Sequence, residues 1–384
     1  MEANDTNAKN YPEISIILPC RNEEGALPFC LEKIKKVIKD NNLSAEIIVS
    51  DSSTDKSPKI AKEYGVILIK HDKEGYGRAY LEAFKIVKGK YLFLADADNT
   101  YDFYQIPEFI TQLELGYDFV IGNRLSGKIE KGAMPWPNKY IGTPILSLFL
   151  KIFFGAKIKD SQSGIRAIKK DALEKLNLQT SGMEFASEMI IKAIKNNLKI
   201  KEIPTNYFKR IGKSKLKPFS DAWKHIRFML LYSPLFLFFT PGLLLLTAGI
   251  LSMLWFYFGN PQIFGIKLFY HPLFLSSALA ILGYQLIIFS AFAKIYSITH
   301  LGEKSEFFEK MFKYITIEKA GIAGVLVSIA GLAIYFFIFI KWFKSGFGSL
   351  DEVKNSIVAL TLIVLGMQTV FSSFMLSILG IKNR

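Results

Sequence analysis

The residues best suited to chemistry stand at the end of one apolar run. Residues 91–102, YLFLADADNTYD, read as a buried strand that stops abruptly in carboxylates. On an extended segment residues two apart point the same way, so Asp96 and Asp98 can aim at one hard cation. Oxygen ligands with no His or Cys beside them favour magnesium or manganese over zinc. Such ions keep several waters and bind through one or two carboxylates plus a substrate's phosphates, which makes a nucleotide diphosphate the natural third party. Alone, the Asp-x-Asp spacing carries little, because a strand-end aspartate also serves as a helix cap or turn former.

Two carboxylates need a scaffold to converge. From Glu13 onward short β-rich runs alternate with helix-like segments, the pattern of a mostly parallel α/β sheet. The spacing predicts strands over 14–19, 45–50, 66–70, 91–95 and 119–122, with helices over 27–39, 57–64, 78–88 and 106–115. In open sheets of this kind ligands bind beyond the carboxyl ends of the strands. Those ends run into residues 19–24 (PCRNEE), 51–55 (DSSTD), 74–80 (EGYGRAY) and the Asp-Ala-Asp itself. Each has an ordinary loop reading: Asn22 and Asp51 as helix caps, Gly75 and Gly77 as turn residues, Arg21 as a solvated charge. Four polar loops on one sheet edge point instead to a site.

Composition bounds the partners. The chain has 384 residues, half of them hydrophobic and most of those in its second part, which allows two domains. A net charge of +14 is compatible with nucleic acid, an anionic lipid surface or phosphorylated substrates. The only cysteines, Cys20 and Cys30, form neither a disulfide framework nor a zinc site, which fits a reducing, cytosolic face. Residues 1–12 read as a flexible polar lead-in, neither signal peptide nor anchor.

In this order, residues 19–24, 51–55 and 96–98 resemble a family 2 glycosyltransferase with the GT-A fold, a Rossmann-like, mostly parallel sheet. The resemblance covers about the first 230 residues and continues through 122–126 (GNRLS), 160–166 (DSQSGIR) and 208–216 (FKRIGKSKL). The last stretch is similar to the polyprenyl-phosphate branch, the dolichyl-phosphate mannose synthases and their glucose-transferring relatives. Carried over by position, the resemblance implies that Pro19, Arg21, Glu23 and Asp51 surround the nucleotide base and ribose, with Asp51 accepting a base N–H. It implies that Asp96 and Asp98 bind the metal, magnesium or manganese, and the diphosphate. Thr100, where mannose synthases often carry Gln, would be a third metal contact. The family's double Asp in the second loop is here Ser50-Asp51. Arg124, Arg166, Arg210 and Lys215 would serve phosphate groups on donor and acceptor, Arg124 and Arg166 joining the two aspartates in catalysis. Arginine's planar fork suits phosphate oxygens, although a surface salt bridge is its alternative use.

The implied reaction is a metal-dependent, inverting transfer of a hexose, mannose ahead of glucose. It runs from GDP-mannose or UDP-glucose to dolichyl or polyprenyl phosphate; no nucleic acid is involved. In many family members an acid deprotonates a sugar hydroxyl, and Glu184 and Glu188 lie on one helix face at i and i+4. A lipid phosphate, with a second pKa near 6, is already largely an oxyanion at neutral pH and needs no such base. Both acids therefore read as groups that shape the site or cap the helix. Transfer to a lipid-linked hydroxyl, which would need one of them, and a non-catalytic scaffold or transporter are the alternatives. A processive polysaccharide synthase would carry Gln-x-x-Arg-Trp, which the chain lacks.

Those boundaries give a catalytic domain over 13–215. Residues 216–229 then read as a basic helix with Trp223, Ile226 and Phe219 on one side and Lys217, Lys224 and Arg227 elsewhere, suited to a membrane interface. Beyond them the chain reads as a membrane domain over 230–384, with spans at about 230–258, 271–293, 320–342 and 356–381, each long enough for hydrocarbon about 30 Å thick. Pro241-Gly242 is expected to kink the first. The lysines between Lys294 and Lys319, Lys304, Lys310 and Lys313 among them, place that connection, both termini and the catalytic domain in the cytosol, at the cell membrane of a prokaryote. Phe308, Met311, Phe312 and Ile315 give the same connection an apolar stripe for the membrane surface. The runs 228–266, 268–293, 321–340 and 355–381 carry no charge, so an ion pathway is unsupported, and His271 reads as structural. Lipid binding, homo-oligomer formation and simple anchoring are all open to this domain.

Overall fold

Short runs rich in Ile, Val, Leu, Phe and Tyr favour strands buried on both faces, and helices packed on those faces complete the core. The computed structural model describes residues 11–212, 218–259, 261–263, 265–300 and 317–380. Seven strands form one sheet: β1 (Ile14–Cys20), β2 (Ala45–Asp51), β3 (Ile67–Lys70), β4 (Tyr91–Leu94), β5 (Phe119–Asn123), β6 (Arg166–Lys169) and β7 (Ile200–Pro204). Their order is β3-β2-β1-β4-β6-β5-β7, parallel except for β6, which runs antiparallel to β4 and β5. The catalytic unit is thus a GT-A fold, a mostly parallel Rossmann-like sheet.

Register decides what meets at the sheet edge. Cys20 pairs with Asp51 across β1 and β2, and Ile17 with Leu94 across β1 and β4, so the loops leaving these three strands lie side by side. Helices α1 (Leu27–Asp40), α2 (Ser57–Glu63), α3 (Tyr76–Ala83) and α4 (Ile106–Glu114) follow β1 to β4 in turn. Helix α3 starts two residues before the predicted segment and ends well before Lys88. Four later elements bear on the site: α5 (Thr143–Phe154), α6 (Lys170–Leu176), α7 (Phe185–Lys195) and α8 (Pro218–Leu231). β6, β7, α5 and α6 were outside the predicted set. β6 and β7 are four and five residues long and each carries two charged residues, too short and polar for a periodicity test.

The chain divides between Met229 and Leu230 into two compact units. The second contains α9 (Thr240–Phe258), α10 (His271–His300), α11 (Ile317–Lys344) and α12 (Val353–Gly380). Four stretches, Leu235–Phe258, His271–Thr299, Glu318–Lys344 and Val353–Gly380, are long and apolar enough to cross a membrane. A wide turn at Leu235–Phe239 precedes Pro241, which has no N–H to give the helical ladder. Within this unit α9 packs on α10 and α11 on α12 through small residues, and a β-carbon on Gly324 would lie 2.7 Å from the Gly366 carbonyl oxygen. Ser277–Thr361 and Tyr284–Thr369 hydroxyl pairs, each at 2.6 Å, join α10 to α12.

Candidate active site

The loop after β4 is shaped so that its two carboxylates diverge in role. Asn99 takes φ of 65°, a left-handed conformation that Asn tolerates, and turns the chain directly after Asp98. Asp98 is buried, and its Oδ1 accepts from the Thr100 amide at 3.1 Å and the Thr100 hydroxyl at 2.6 Å. Its Oδ2 lies 3.1 Å from Arg210 Nη1, whose Nη2 donates to Glu23 at 2.6 Å. The segment bearing Arg210 is stitched to this loop by the backbone bonds Phe208 N to Thr100 O, 2.8 Å, and Ile211 N to Asp98 O, 3.1 Å. Arg210 therefore clasps the first loop to the Asp-x-Asp.

Asp96 is the freer group. Its Oδ1 is buried without a hydrogen-bond partner among the described residues. Burial first, then the neighbouring charge of Asp98, pushes its carboxyl up to about 7, against the opposing help of the Tyr76 hydroxyl and of Arg210 and Arg124. Gly164 presses on it: a β-carbon there would stand 2.6 Å from Asp96 Oδ2. The Gly164 amide donates to the Tyr101 hydroxyl at 2.6 Å, which holds the loop in place. A buried carboxylate with an unused oxygen next to a second carboxylate suits a divalent cation. No cluster of three or more His, Cys, Asp or Glu exists among the described residues, so a cation here would complete its shell with substrate phosphates and water.

The first and second loops brace each other. The Asn22 amide donates to Ser53 Oγ at 2.7 Å, the Thr54 amide to Asn22 Oδ1 at 2.8 Å and the Glu23 amide to Ser57 Oγ at 3.0 Å. Asp51, fully buried at the end of β2, accepts from the Ser53 amide at 3.2 Å through Oδ2, while Oδ1 has no partner among the described residues. His71 lies beside it, its amide donating to Asp51 O at 3.0 Å and its Nε2 sharing a hydrogen with Ser50 Oγ at 3.1 Å. Pro19 is half-buried on β1, and Arg21 is exposed and paired with Glu74 of the third loop. That third loop is held by α7's approach: Gly75 has φ of 134°, and the Arg78 amide donates to Ser181 O at 3.0 Å.

The other arginines sit differently from what the resemblance implies. Arg124 gives its fork to Asp160, Nε to Oδ2 and Nη2 to Oδ1, each 2.8 Å, in a buried bidentate pair. Arg166 spends Nε, Nη1 and Nη2 on the carbonyls of Ser163, Ala186 and Ser161 at 2.8, 2.8 and 3.0 Å. Both brace the 160–166 loop against its neighbours, Arg166 with all three of its guanidinium nitrogens and Arg124 with Nε and Nη2. Thr100 likewise has its hydroxyl hydrogen on Asp98. Lys215 lies outside the described residues, as do residues 301–316 with their basic and apolar stripe. Glu188 is buried and saturated by Gln179 and Thr180 amides, the Thr180 hydroxyl and Lys192. Glu184 keeps a buried Oε2 without a partner among the described residues.

Residues 15–176 match the glycosyl transferase family 2 profile, and residues 291–380 match the C-terminal transmembrane region of family 2 glycosyltransferases. The low-salt glycan biosynthesis hexosyltransferase of Haloferax volcanii is 38% identical over 370 residues, covering 96% of this chain and 89% of that protein. The chain is a family 2 glycosyltransferase. A dolichyl-phosphate hexose transferase of the same organism is 28% identical to this glycosyltransferase over 214 residues, 55% of this chain and 90% of the relative. Among solved structures, glucosyl-3-phosphoglycerate synthase from Mycobacterium tuberculosis with manganese, UDP and product is similar at 19% identity and a TM-score of 0.47, covering 58% of this chain and 80% of that one.

Three groups in the glycosyltransferase's site had no signal strong enough to be named from the sequence. Gly164 stood inside a quoted motif, but only the fold brings it against Asp96. Tyr76 lay in the third loop, and His71 followed a strand without a motif of its own.

Proposed function

We propose that the glycosyltransferase moves a hexosyl group, mannose or glucose, from a nucleotide-diphosphate sugar to dolichyl or another polyprenyl phosphate. The observation that carries this reading is the pair of unused carboxylate oxygens, Asp51 Oδ1 and Asp96 Oδ1, at the ends of strands flanking β1. Strands spaced about 4.8 Å apart put β2 and β4 roughly 10 Å from each other, a separation that suits a nucleoside between its base edge and its diphosphate. Asp51 would accept a base N–H, with Pro19, Arg21 and Glu23 about the base and ribose. Asp96 and Asp98 would hold magnesium or manganese, oriented by Thr100 and Arg210. The cation supplies positive charge to the departing diphosphate when bound. Arg210, already on Asp98, would share that charge, and we assign Arg124 and Arg166 to bracing the loop behind Asp96. The names of the relatives support hexosyl transfer and a dolichyl-phosphate acceptor.

In the proposed step a lipid-phosphate oxygen forms a bond to the anomeric carbon as the bond from that carbon to the diphosphate oxygen breaks. The configuration inverts, the nucleoside diphosphate leaves, and no proton moves, because the phosphate is already an oxyanion near neutral pH. Positive-inside charge supports a cytosolic catalytic unit. One observation favours a second acceptor class: the unpartnered Glu184 oxygen could serve as base for a hydroxyl.

The test offers labelled GDP-mannose, UDP-glucose and UDP-N-acetylglucosamine separately, with magnesium or manganese, to dolichyl or undecaprenyl phosphate in detergent. A mild-acid-labile glycolipid from one donor is expected. Asp98→Asn should lower its formation by about 10²-fold or more while the protein stays folded. Product on a lipid alcohol alone, lost in Glu184→Gln, would replace the phosphate acceptor by a hydroxyl.

A further inference from the structure

A helix on the surface of a water-soluble unit normally turns polar residues outward and apolar ones inward. Helix α5 departs from this: Leu146 and Leu150 are buried with Thr143 and Ser147, yet Ile145, Leu148 and Ile152, at i, i+3 and i+7, are 42%, 50% and 49% exposed. Ile141 continues this stripe one turn earlier, and Trp136 and Tyr140 beside it are each 67% exposed. A contiguous exposed apolar face of this kind marks a docking surface.

We propose that the outward face of α5 beds into the headgroup region of a lipid bilayer. Three features favour that occupant. Between Gly127 and Lys159 the chain carries six lysines and a single acid, Glu130, which suits anionic headgroups. Trp136 and Tyr140 are the residue types that settle at a membrane interface. The same chain has four stretches apolar enough to cross a membrane, the first beginning at Leu235, a few residues after the catalytic unit ends at Met229. A second copy is the poorer occupant, since a two-fold contact would set the lysine-rich segment against itself.

The docked helix is bolted to the site. Ser147 Oγ donates to Ser161 Oγ at 3.0 Å and accepts from the Ser161 amide at 3.1 Å. Ser161 belongs to the 160–166 loop, whose Asp160 holds Arg124 and whose Gly164 lies on Asp96. The bilayer surface thereby fixes the depth of the Asp96 loop. Given the acceptor proposed above, a lipid phosphate at headgroup depth would meet the site with its chain still in the membrane.

Spin-label depth measurement tests this in the full chain, held in nanodiscs of equimolar phosphatidylcholine and phosphatidylglycerol. Cys20 and Cys30 are buried, and burial pushes both thiols up to about 12, so a thiol-reactive label goes to introduced cysteines. Ile145→Cys, Leu148→Cys and Ile152→Cys are compared with Lys59→Cys, whose side chain is 77% exposed on α2. At the three α5 positions, relaxation by lipid-soluble oxygen should exceed that by a water-soluble nickel chelate several-fold, with the reverse at 59. Nickel-dominated relaxation at all four would overturn the proposal. So would dipolar broadening at 148 that disappears on dilution with unlabelled protein, which would assign the face to a second copy. The measurement needs no turnover: a docked helix in a protein that leaves lipid phosphate untouched would sink the acceptor reading alone.

Discussion

Asp96 shows how a single residue can be set up to want a cation. Its carboxyl is pushed up to about 7 by burial and by Asp98, so near neutrality it is shared between proton and charge. A group with a raised folded pKa contributes stability that is fully present below its unfolded value, near 4, and lost as pH rises through about 7. The cation-free protein should therefore lose stability over that window, and a cation that takes the proton's place should restore it. Thermal unfolding with and without manganese, at about pH 6 and about pH 8, measures this: the stabilisation should be larger at the higher pH, with proton release on binding at the lower. An equal shift at both would remove Asp96 from the cation's shell. Gly164 offers a second handle. Its φ is not left-handed, so alanine is tolerated by the backbone, but its methyl would have to displace the Asp96 carboxylate from 2.6 Å. Gly164→Ala should fold and lose about 10²-fold in turnover, the usual cost of a misplacement of about 1 Å; wild-type kinetics would show that the carboxylate position is not critical.

At the scale of elements, α7 is the hub: it packs with α3, α5 and α6, and its Ser187 hydroxyl meets His225 Nδ1 of α8 at 2.8 Å. His225 is lowered to about 4, chiefly by burial and further by Arg166 and Lys224, with Asp221 opposing. Its neutral form is the one the fold holds, so its contribution is full above about 6.5 and is lost as pH falls towards 4, up to roughly 3 kcal/mol. Unfolding of wild type should become easier across that window, and His225→Lys should abolish the dependence while lowering the melting temperature at every pH. A His225→Lys protein as stable as wild type would mean the site is solvated. The parallel core strands, β1 to β5, were legible because each is an apolar run closed by a turn. β6 and β7 were not, since Arg166-Ala-Ile-Lys and Ile200-Lys-Glu-Ile-Pro are neither apolar runs nor alternating patterns and gain their identity only by pairing with distant strands. The same gap explains Arg124 and Arg166. Sequence shows a positive charge near a motif, but whether that charge faces a phosphate or Asp160, 36 residues away, is decided by the folded chain. Helix α5 escaped for the opposite reason: its apolar residues cover nearly its whole circumference, which blurs the periodicity that marks a surface helix.

Across the whole molecule, two solvents divide the chain. In the proposed reaction a nucleotide sugar would come from water and a polyprenyl chain from the bilayer, and the boundary at Met229–Leu230 separates a unit built on an apolar sheet core from one built on helix packing. In lipid, burial of apolar surface gives no preference for one helix contact over another, so close fit must supply it. That fit is visible where α11 meets α12: a β-carbon on Gly366 would collide with the Ser328 hydroxyl and the Gly324 carbonyl oxygen. Gly366→Leu must therefore push these helices apart. If the two units hold their structures by separate means, this variant should melt earlier in detergent when followed by helical signal, yet bind nucleotide sugar in the presence of manganese as wild type does. Transfer onto long-chain lipid phosphate should fall if the helical unit takes part in acceptor capture, and stay unchanged if it only anchors. Loss of nucleotide binding together with helix packing would show instead that the two units fold as one cooperative body, and that the sheet's stability depends on its membrane half.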